Sequence, residues 1–280
     1  EMKDALADLQ KLYAEGVIDP EFGVKDAVKV SENVNAGKVG MFYGYFWNCS
    51  SGWLQDGKMN DPSIDWIAVP ILSIDDEPAK AMVPFATTYY TVVSKDCANP
   101  EAAVKMYNLV LEKMFGETAQ PEVYNSTPEN LAVFNYAYSY GEPPMKNLDA
   151  QQAVVAALES GDASGLSAEQ KNYYDNCVAY EESGDLALWG NYMMYGPDGG
   201  LGVINEYVSS GNVVTDNYFG APTDGMAEKN ATLQKLQLET FTKIITGSAD
   251  VDEFDTYVEN WKSLGGQQIT DEVNEWLAQR

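Results

Sequence analysis

The chain has 280 residues, enough for one large domain or two ordinary ones, and its 45 % apolar and 21 % charged composition is that of a globular protein. Its 43 acidic and 17 basic residues give a formal charge of −26, which disfavours binding to nucleic-acid phosphates or to an anionic membrane surface. No apolar run is long enough for a transmembrane helix, and the absence of histidine removes the commonest general base and zinc ligand.

Two helices are predicted at the start of the chain. Residues 2–15 carry an apolar stripe of helical period, and Gly16 follows where a left-handed C-cap is favoured. A second helix runs through Val28 and Val34 and ends at Gly37. The first residues resemble neither a signal peptide nor a natural start, so we expect the sequence to begin inside a longer protein.

Three short apolar runs follow, and each predicts a strand. They cover residues 39–45, 65–70 and 88–94, and residues 53–62 between the first two predict a loop. The alternation of helices and strands favours α/β layers.

The second half of the sequence is largely helical in pattern. Asn99, Pro100 and Glu101 form a strong helix start, with a capping side chain, proline at the first position and an acid in the first turn. Ser167 and Gln170 fit a capping box. Further apolar stripes of helical period cover residues 233–245, 251–261 and 269–277. This block therefore predicts a helical lobe beside the α/β layers.

No metal site or cofactor is predicted. The acidic runs at residues 75–77 and 250–253 lack the alternating ligands and central glycine of an EF-hand loop, so we interpret both as solvated turns or helix starts. Cys49, Cys97 and Cys177 are widely spaced, which leaves open one disulfide with one free thiol or three buried thiols.

Five stretches in a fixed order carry a resemblance to a known family. Residues 9–22 (LQKLYAEGVIDPEF), 36–41 (AGKVGM, with Trp47 soon after), 66–70 (WIAVP), 92–103 (VVSK, then NPEAA) and the helical tail from residue 233 carry it. Together they resemble the extracellular solute-binding proteins of carbohydrate-type ABC importers (family 1), in particular the lipoprotein-anchored members of the class that includes maltose-binding protein. The resemblance covers nearly the whole chain, as the C-terminal portion of such a protein.

The resemblance implies an α/β, periplasmic-binding-protein-like fold of type II with a helix-rich C-terminal lobe, the N-terminal portion of the family fold being absent. Residues 1–68 and 116–280 would form the C-terminal lobe, and residues 69–115 would be the hinge and a segment returning to the N-terminal lobe. The implied function is capture of a small solute, a mono- or oligosaccharide, in the cleft between lobes and its delivery to ABC permease subunits. We expect a monomer that is extracellular, lipid-anchored at the cell surface in the full-length protein, or periplasmic.

The first candidate binding cluster is Tyr45-Phe46-Trp47-Asn48, just after a predicted strand. Ligands of open α/β sheets lie beyond the carboxyl ends of strands, and aromatic faces suit the apolar side of a pyranose. Trp47 is the first candidate, followed by Tyr45 and Trp53, and core packing is the alternative for each.

The second candidate cluster combines Trp189, Tyr192 and Tyr195, whose three-residue spacing puts them on one helix face near a glycine-rich end. The alternative is a helix packed on the lobe core. Near the hinge, Thr87 is a further candidate, together with Tyr89, against ordinary strand packing. Asp198 and Asp224 could accept hydroxyl hydrogen bonds, but turn positions explain both equally well.

Two other functions compete with the capture of a small solute. One is an enzyme acting on glycosides with paired carboxylates, which would need two acids at a defined separation. No local motif puts such a pair beside the tryptophan cluster, and we predict that the chain is not an enzyme. The other is a surface adhesion or interaction module, which would present a flat apolar patch instead of a concave aromatic site.

Overall fold

A computed structural model describes residues 1–85, 87, 89–125, 132–137 and 139–280. Helices dominate it, with two short strands. In chain order the elements are α1 (Met2–Ala14), α2 (Ala27–Asn35), α3 (Leu54–Asn60), β1 (Ala81–Val83), α4 (Glu101–Phe115), α5 (Pro121–Tyr124), α6 (Lys146–Ser160), α7 (Ala168–Ser183), α8 (Leu186–Tyr195), α9 (Gly200–Ser209), β2 (Val213–Thr215), α10 (Asp224–Ile245), α11 (Glu253–Trp261) and α12 (Gln267–Ala278).

The predicted helix boundaries are confirmed where the sequence carried a specific end signal. Gly16 and Gly37 follow α1 and α2 with φ of 75° and 67°, the left-handed conformation that glycine adopts without strain. At the start of α7, the Ser167 hydroxyl accepts from the Gln170 amide at 3.3 Å, and the Gln170 side chain accepts from the Ser167 amide at 3.0 Å. Helix α4 begins directly after Pro100 as predicted, but Pro100 is its N-cap rather than its first residue, and the predicted side-chain cap by Asn99 is not formed.

The predicted strands are not formed in the described part of the chain. Residues 39–45, 65–70 and 89–94 contain no regular strand, and Thr88 lies outside the described residues. A strand needs a neighbour to satisfy its backbone amides and carbonyls, and none of these three runs pairs into a sheet among the described residues. The strand β1 lies outside them. It pairs in parallel with β2, with Ala81 opposite Val213.

The loop predicted for residues 53–62 was wrong, because α3 occupies most of it. Leu54 anchors this helix by burying its side chain in the core, which outweighs the low helix propensity of the central Gly57. Gly57 is also where α3 comes close to the end of α2: a Cβ there would lie 3.4 Å from the Asn35 Cα.

The chain divides into two compact units. One contains residues 1–29 and 216–280, and the other contains residues 30–215. This grouping places residues 69–115 together with residues 30–68, whereas the predicted lobes separate them. The predicted lobes belong to a longer fold and stay a prediction.

The unit of residues 30–215 has two buried clusters. One contains Val154, Cys177, Tyr195 and Leu201 from helices α6 to α9. The other joins the end of α2 and the start of α3 to helix α8, through Val34, Cys49, Leu54 and Trp189. Helix α8 contributes to both clusters, so it is the central element of this unit.

The other unit is built on the long helix α10. Leu6 of α1, Leu233 and Ile244 of α10 and Tyr257 of α11 are buried. Gln10 links α1 to the end of α10, because its side-chain amide donates to the Ile244 carbonyl at 2.5 Å and to the Ala249 carbonyl at 3.1 Å.

Residues 67–93 expose an unusual number of apolar side chains. Among them are Ile67, Leu72, Ile74, Met82 and Val92, each more than 70 % exposed. Its described residues, 67–85, 87 and 89–93, contain one three-residue strand, β1. We name these described residues the exposed apolar segment.

Candidate functional site

Two aromatic side chains stack on each other at the surface of the unit of residues 30–215. Tyr45 is 68 % exposed and Trp47 is 48 % exposed, and their ring centroids lie 4.3 Å apart with an interplanar angle of 8°. Phe46 lies between them in sequence, but its partly buried ring packs against the core cluster of Val154 and Leu201. The Phe46 ring also meets Trp47 edge-on at 5.1 Å. We call the exposed pair, Tyr45 and Trp47, the aromatic platform.

The backbone under the platform is fixed by the buried Asn48. Its Oδ1 accepts from the Tyr45 amide at 2.6 Å, and its own amide donates to the Tyr45 carbonyl at 3.0 Å. Gly44 leaves room for this turn, because a Cβ there would lie 2.7 Å from the Phe42 ring and 2.8 Å from the Asn48 Oδ1. Sequence reasoning treated Asn48 as part of the cluster but missed this supporting role. An amide side chain three residues after the start of a helical turn, as in a capping box, was the available signal.

The turn of residues 45–49 that carries the platform, here the platform turn, is packed against helices α8 and α9. A Cβ on Gly190 of α8 would lie 2.5 Å from the Cys49 carbonyl oxygen, so glycine permits backbone contact there. A Cβ on Gly200 of α9 would lie 3.2 Å from the Phe46 Cα. The structure therefore brings the two predicted clusters together, although about 140 residues of sequence separate Trp47 from Trp189 and Gly200.

The second cluster lies mostly inside the protein. Trp189 is 2 % exposed, and Tyr195 is 5 % exposed and stacks on Tyr173 with centroids 3.8 Å apart. Tyr192 is half-buried; burial, and then the Glu181 carboxylate, raise the pKa of its hydroxyl. Trp189 and Tyr195 are therefore core residues of a packed helix in this structure, as the alternative interpretation predicts. They contact the platform segment from inside the protein rather than at its surface.

The other candidates lie apart from the stacked pair. Trp53 is partly buried and stacks on Phe42 at 6.1 Å rather than on Trp47. Thr87 is exposed, and its neighbours Ala86 and Thr88 lie outside the described residues. Tyr89 is exposed and meets Tyr140 edge-on.

The two candidate acids are also placed differently. Asp198 is exposed in the loop before α9, two residues from the Gly200 contact with Phe46. Asp224 is the first residue of α10 and belongs to the unit of residues 1–29 and 216–280. Of these two acids, Asp198 is thus the one that precedes the helix start in contact with Phe46.

A buried polar cluster on α6 and α7 escaped sequence reasoning. The Glu169 Oε1 accepts from the Asn125 side-chain amide at 2.7 Å and from the Tyr173 hydroxyl at 2.8 Å, and the Lys146 Nζ lies 2.6 Å away. Three donors compensate the burial of this carboxylate. The cluster draws on three segments of the chain, the end of α5, the start of α6 and the start of α7, so no local sequence motif predicts it. It fixes the Tyr173 ring on which Tyr195 stacks.

The three cysteines are free thiols in the described structure. Cys49 and Cys177 are buried, and burial raises the pKa of the Cys49 thiol to about 11 and that of the Cys177 thiol to about 12. Cys97 is exposed. The disulfide alternative thus has no support among these residues.

We expect one thiol, Cys97, to react rapidly with a maleimide at neutral pH in the native protein, and three to react in urea. Burial shields Cys49 and Cys177, and their raised pKa values keep both protonated. Intact-mass spectrometry counts the adducts. In a Cys97→Ser variant rapid labelling should vanish, and a second fast thiol in the native protein would contradict the buried positions.

The described residues contain neither a cluster of metal-ligating side chains nor a helix long and apolar enough to cross a membrane.

Comparisons with known proteins give two distant relatives. No protein-family model and no solved structure matches the chain. It is 26 % identical over 277 residues to "Uncharacterized protein in butB 5'region" of Niallia circulans, with 97 % of both chains aligned. It is 25 % identical over 284 residues to "Lipoprotein LipO" of Bacillus subtilis (strain 168), with 98 % of this chain but 50 % of that protein aligned. The chain is a distant homologue of a bacterial lipoprotein. It spans about half the length of that lipoprotein and nearly all of the first relative.

Proposed function

We propose that this chain is part of the solute-binding component of an ABC importer and that it holds a mono- or oligosaccharide against the aromatic platform. The observation that carries the proposal is the exposed, stacked pair of Tyr45 and Trp47 over a turn fixed by Asn48. A flat aromatic face buries the C–H face of a pyranose, while its hydroxyl groups stay available for polar partners.

Polar groups near the platform turn suit a hydroxylated ligand. Asp198 lies two residues before α9. Tyr192 lies on α8, and the carboxylates of Glu181 and Asp198 are among the groups that raise the pKa of its hydroxyl. Carboxylates and hydroxyls accept and donate hydrogen bonds to sugar hydroxyls in fixed directions. Binding of this kind breaks no covalent bond, in keeping with a receptor that releases its ligand unchanged.

The two-lobed, periplasmic-binding-protein-like fold is part of the proposal. Residues 69–115 would contribute to a second lobe, which explains why the exposed apolar segment leaves so many apolar side chains in solvent. The homologous lipoprotein is about twice as long as its matching part, so it has room for a second lobe. The description of that relative as a lipoprotein supports lipid anchoring of the full-length protein. Permease subunits of the importer would be its partners under this proposal.

The test is a calorimetric titration of the full-length protein and of this chain against a panel of mono- and oligosaccharides. We expect one sugar class to bind the full-length protein, and chromatography should recover that sugar unchanged. A cleaved sugar would instead identify a glycoside-active enzyme. If no sugar binds, the carbohydrate proposal fails and peptides or other polar solutes take its place.

A further inference from the structure

A concave site lies on α4, in the unit of residues 30–215, and it shares no residue with the aromatic platform. It is a groove of about 600 Å³, within the size range of small-molecule sites. One face of α4 forms its floor, and the segment that leads into α6 forms its wall. The floor includes Tyr107, Leu111, Glu112 and Phe115, and the wall includes Glu142 and Pro143. We call it the carboxylate groove.

The groove combines aromatic rings with two carboxylates. Tyr107 and Phe115 supply ring faces, Leu111 and Pro143 supply aliphatic surface, and Glu112 and Glu142 supply the charge. None of the residues that line it is basic. Its side-chain donors are limited to the Tyr107 hydroxyl and the Asn108 amide. A ligand that brings its own N–H donors and positive charge fits this lining better than a neutral polyol or an anion.

The walls of the groove are held in place by specific contacts. The Glu112 Oε1 accepts from the Thr118 amide at 2.9 Å and from its hydroxyl at 2.8 Å, which also lowers the pKa of the Glu112 carboxyl. Gly141 passes directly over Tyr107, since a Cβ there would clash with the phenol oxygen. On the wall, the Tyr140 hydroxyl hydrogen-bonds to the Glu142 carboxylate.

One ring of the groove already carries an ammonium group of the protein itself. The Lys146 Nζ lies 5.9 Å from the centroid of Phe115, within cation–π range, and its charge is matched by Glu169 at 2.6 Å. Lys113 lies beside Glu112 and donates to the Thr118 hydroxyl at 3.1 Å. Both nearby lysines therefore already bind acceptors outside the groove lining. The carboxylates of Glu112 and Glu142 line the groove without a lysine among its lining residues.

We propose that the carboxylate groove binds a small organic cation, an aliphatic amine or the amine end of a basic side chain. The ammonium group would lie between Glu112 and Glu142, and the aliphatic chain would lie along Leu111, Phe115 and Pro143. This site is separate from the aromatic platform and does not depend on the proposed sugar function. The formal charge of −26 would raise the local concentration of such a cation.

Equilibrium dialysis against cadaverine tests the proposal, with pentanediol and glutarate as neutral and anionic probes of the same length. We expect cadaverine to bind at one site at physiological salt, and Glu112→Gln and Glu142→Gln each to weaken it about tenfold, as expected for loss of a charge-assisted hydrogen bond. Glu117→Gln is the matched control, because Glu117 is exposed just beyond α4 and does not line the groove. It should change the affinity less than about twofold.

Three results would overturn the proposal. They are no bound cadaverine, equal binding of pentanediol, or equal weakening by all three glutamine variants, which would indicate diffuse attraction to the acidic surface. Circular dichroism must show that each variant melts like the wild type. If a glutamine variant unfolds, Phe115→Leu takes its place: it keeps both carboxylates and should weaken cadaverine about threefold through loss of apolar surface along the aliphatic chain. Unchanged affinity in Phe115→Leu would also contradict the proposed pose.

Discussion

Replacing Trp47 with alanine is expected to weaken the proposed sugar binding by roughly 30-fold, or about 2 kcal/mol, the loss typical of an aromatic anchor. Trp47 is half-exposed and supplies the larger ring of the platform, so its removal deletes contact area for the ligand while leaving the core intact. Calorimetry of the full-length protein, with the sugar that binds most tightly, measures the change.

Trp66→Ala is the control for this experiment. The Trp66 ring is partly buried and packs edge-on against Phe42 at 5.9 Å, within the core cluster that also contains Val34 and Leu54. Its loss should lower stability more than affinity, so both variants are compared at a temperature where both are fully folded. Equal or reversed losses of affinity would show that the platform is not the ligand site.

Replacing Trp189 with alanine is expected to destabilise the protein by about 3–5 kcal/mol, the range for truncating a large buried aromatic side chain. Trp189 is 2 % exposed and holds the platform turn to α8 through Cys49 and Leu54. Urea denaturation followed by circular dichroism gives the change in unfolding free energy.

Trp47→Ala serves as the comparison, and at this half-exposed position it should cost less than about 1 kcal/mol of stability. Trp189→Phe should restore a large part of the loss in Trp189→Ala, because it refills most of the cavity. If Trp189→Ala leaves stability unchanged but abolishes sugar binding, Trp189 is a ligand contact and its core placement is wrong.

The sequence was most informative where one residue type has a strong local effect on the backbone. Gly16, Gly37, Pro100 and the Ser167–Gln170 pair each set a helix boundary through sterics or a short-range hydrogen bond, and the structure has these boundaries. Strands depend instead on a partner elsewhere in the chain. The apolar run of residues 39–45 therefore looks like a strand in isolation and is unpaired in the described structure.

The candidate site was predictable in its residue types but not in its division between surface and core. Trp47 and Trp189 are both tryptophans in aromatic clusters, yet one is half-exposed and the other is buried. The difference comes from Gly190, which lets α8 approach the Cys49 carbonyl and bury Trp189, and this contact joins residues about 140 positions apart. No pattern within either segment encodes that approach. The carboxylate groove was missed for the same reason, since its floor and its wall come from separate segments.

The hydrogen bond from the Tyr45 amide to Asn48 has a kinetic consequence. A receptor surface that already has its bound shape loses little conformational entropy when a ligand arrives, and no slow rearrangement of that surface has to precede contact. Capture at the stacked rings should then proceed at the rate of encounter, and differences in affinity among sugars should lie in their residence times. A scavenging receptor benefits from this division, because fast capture serves a dilute nutrient and the departure rate sets which nutrient is kept.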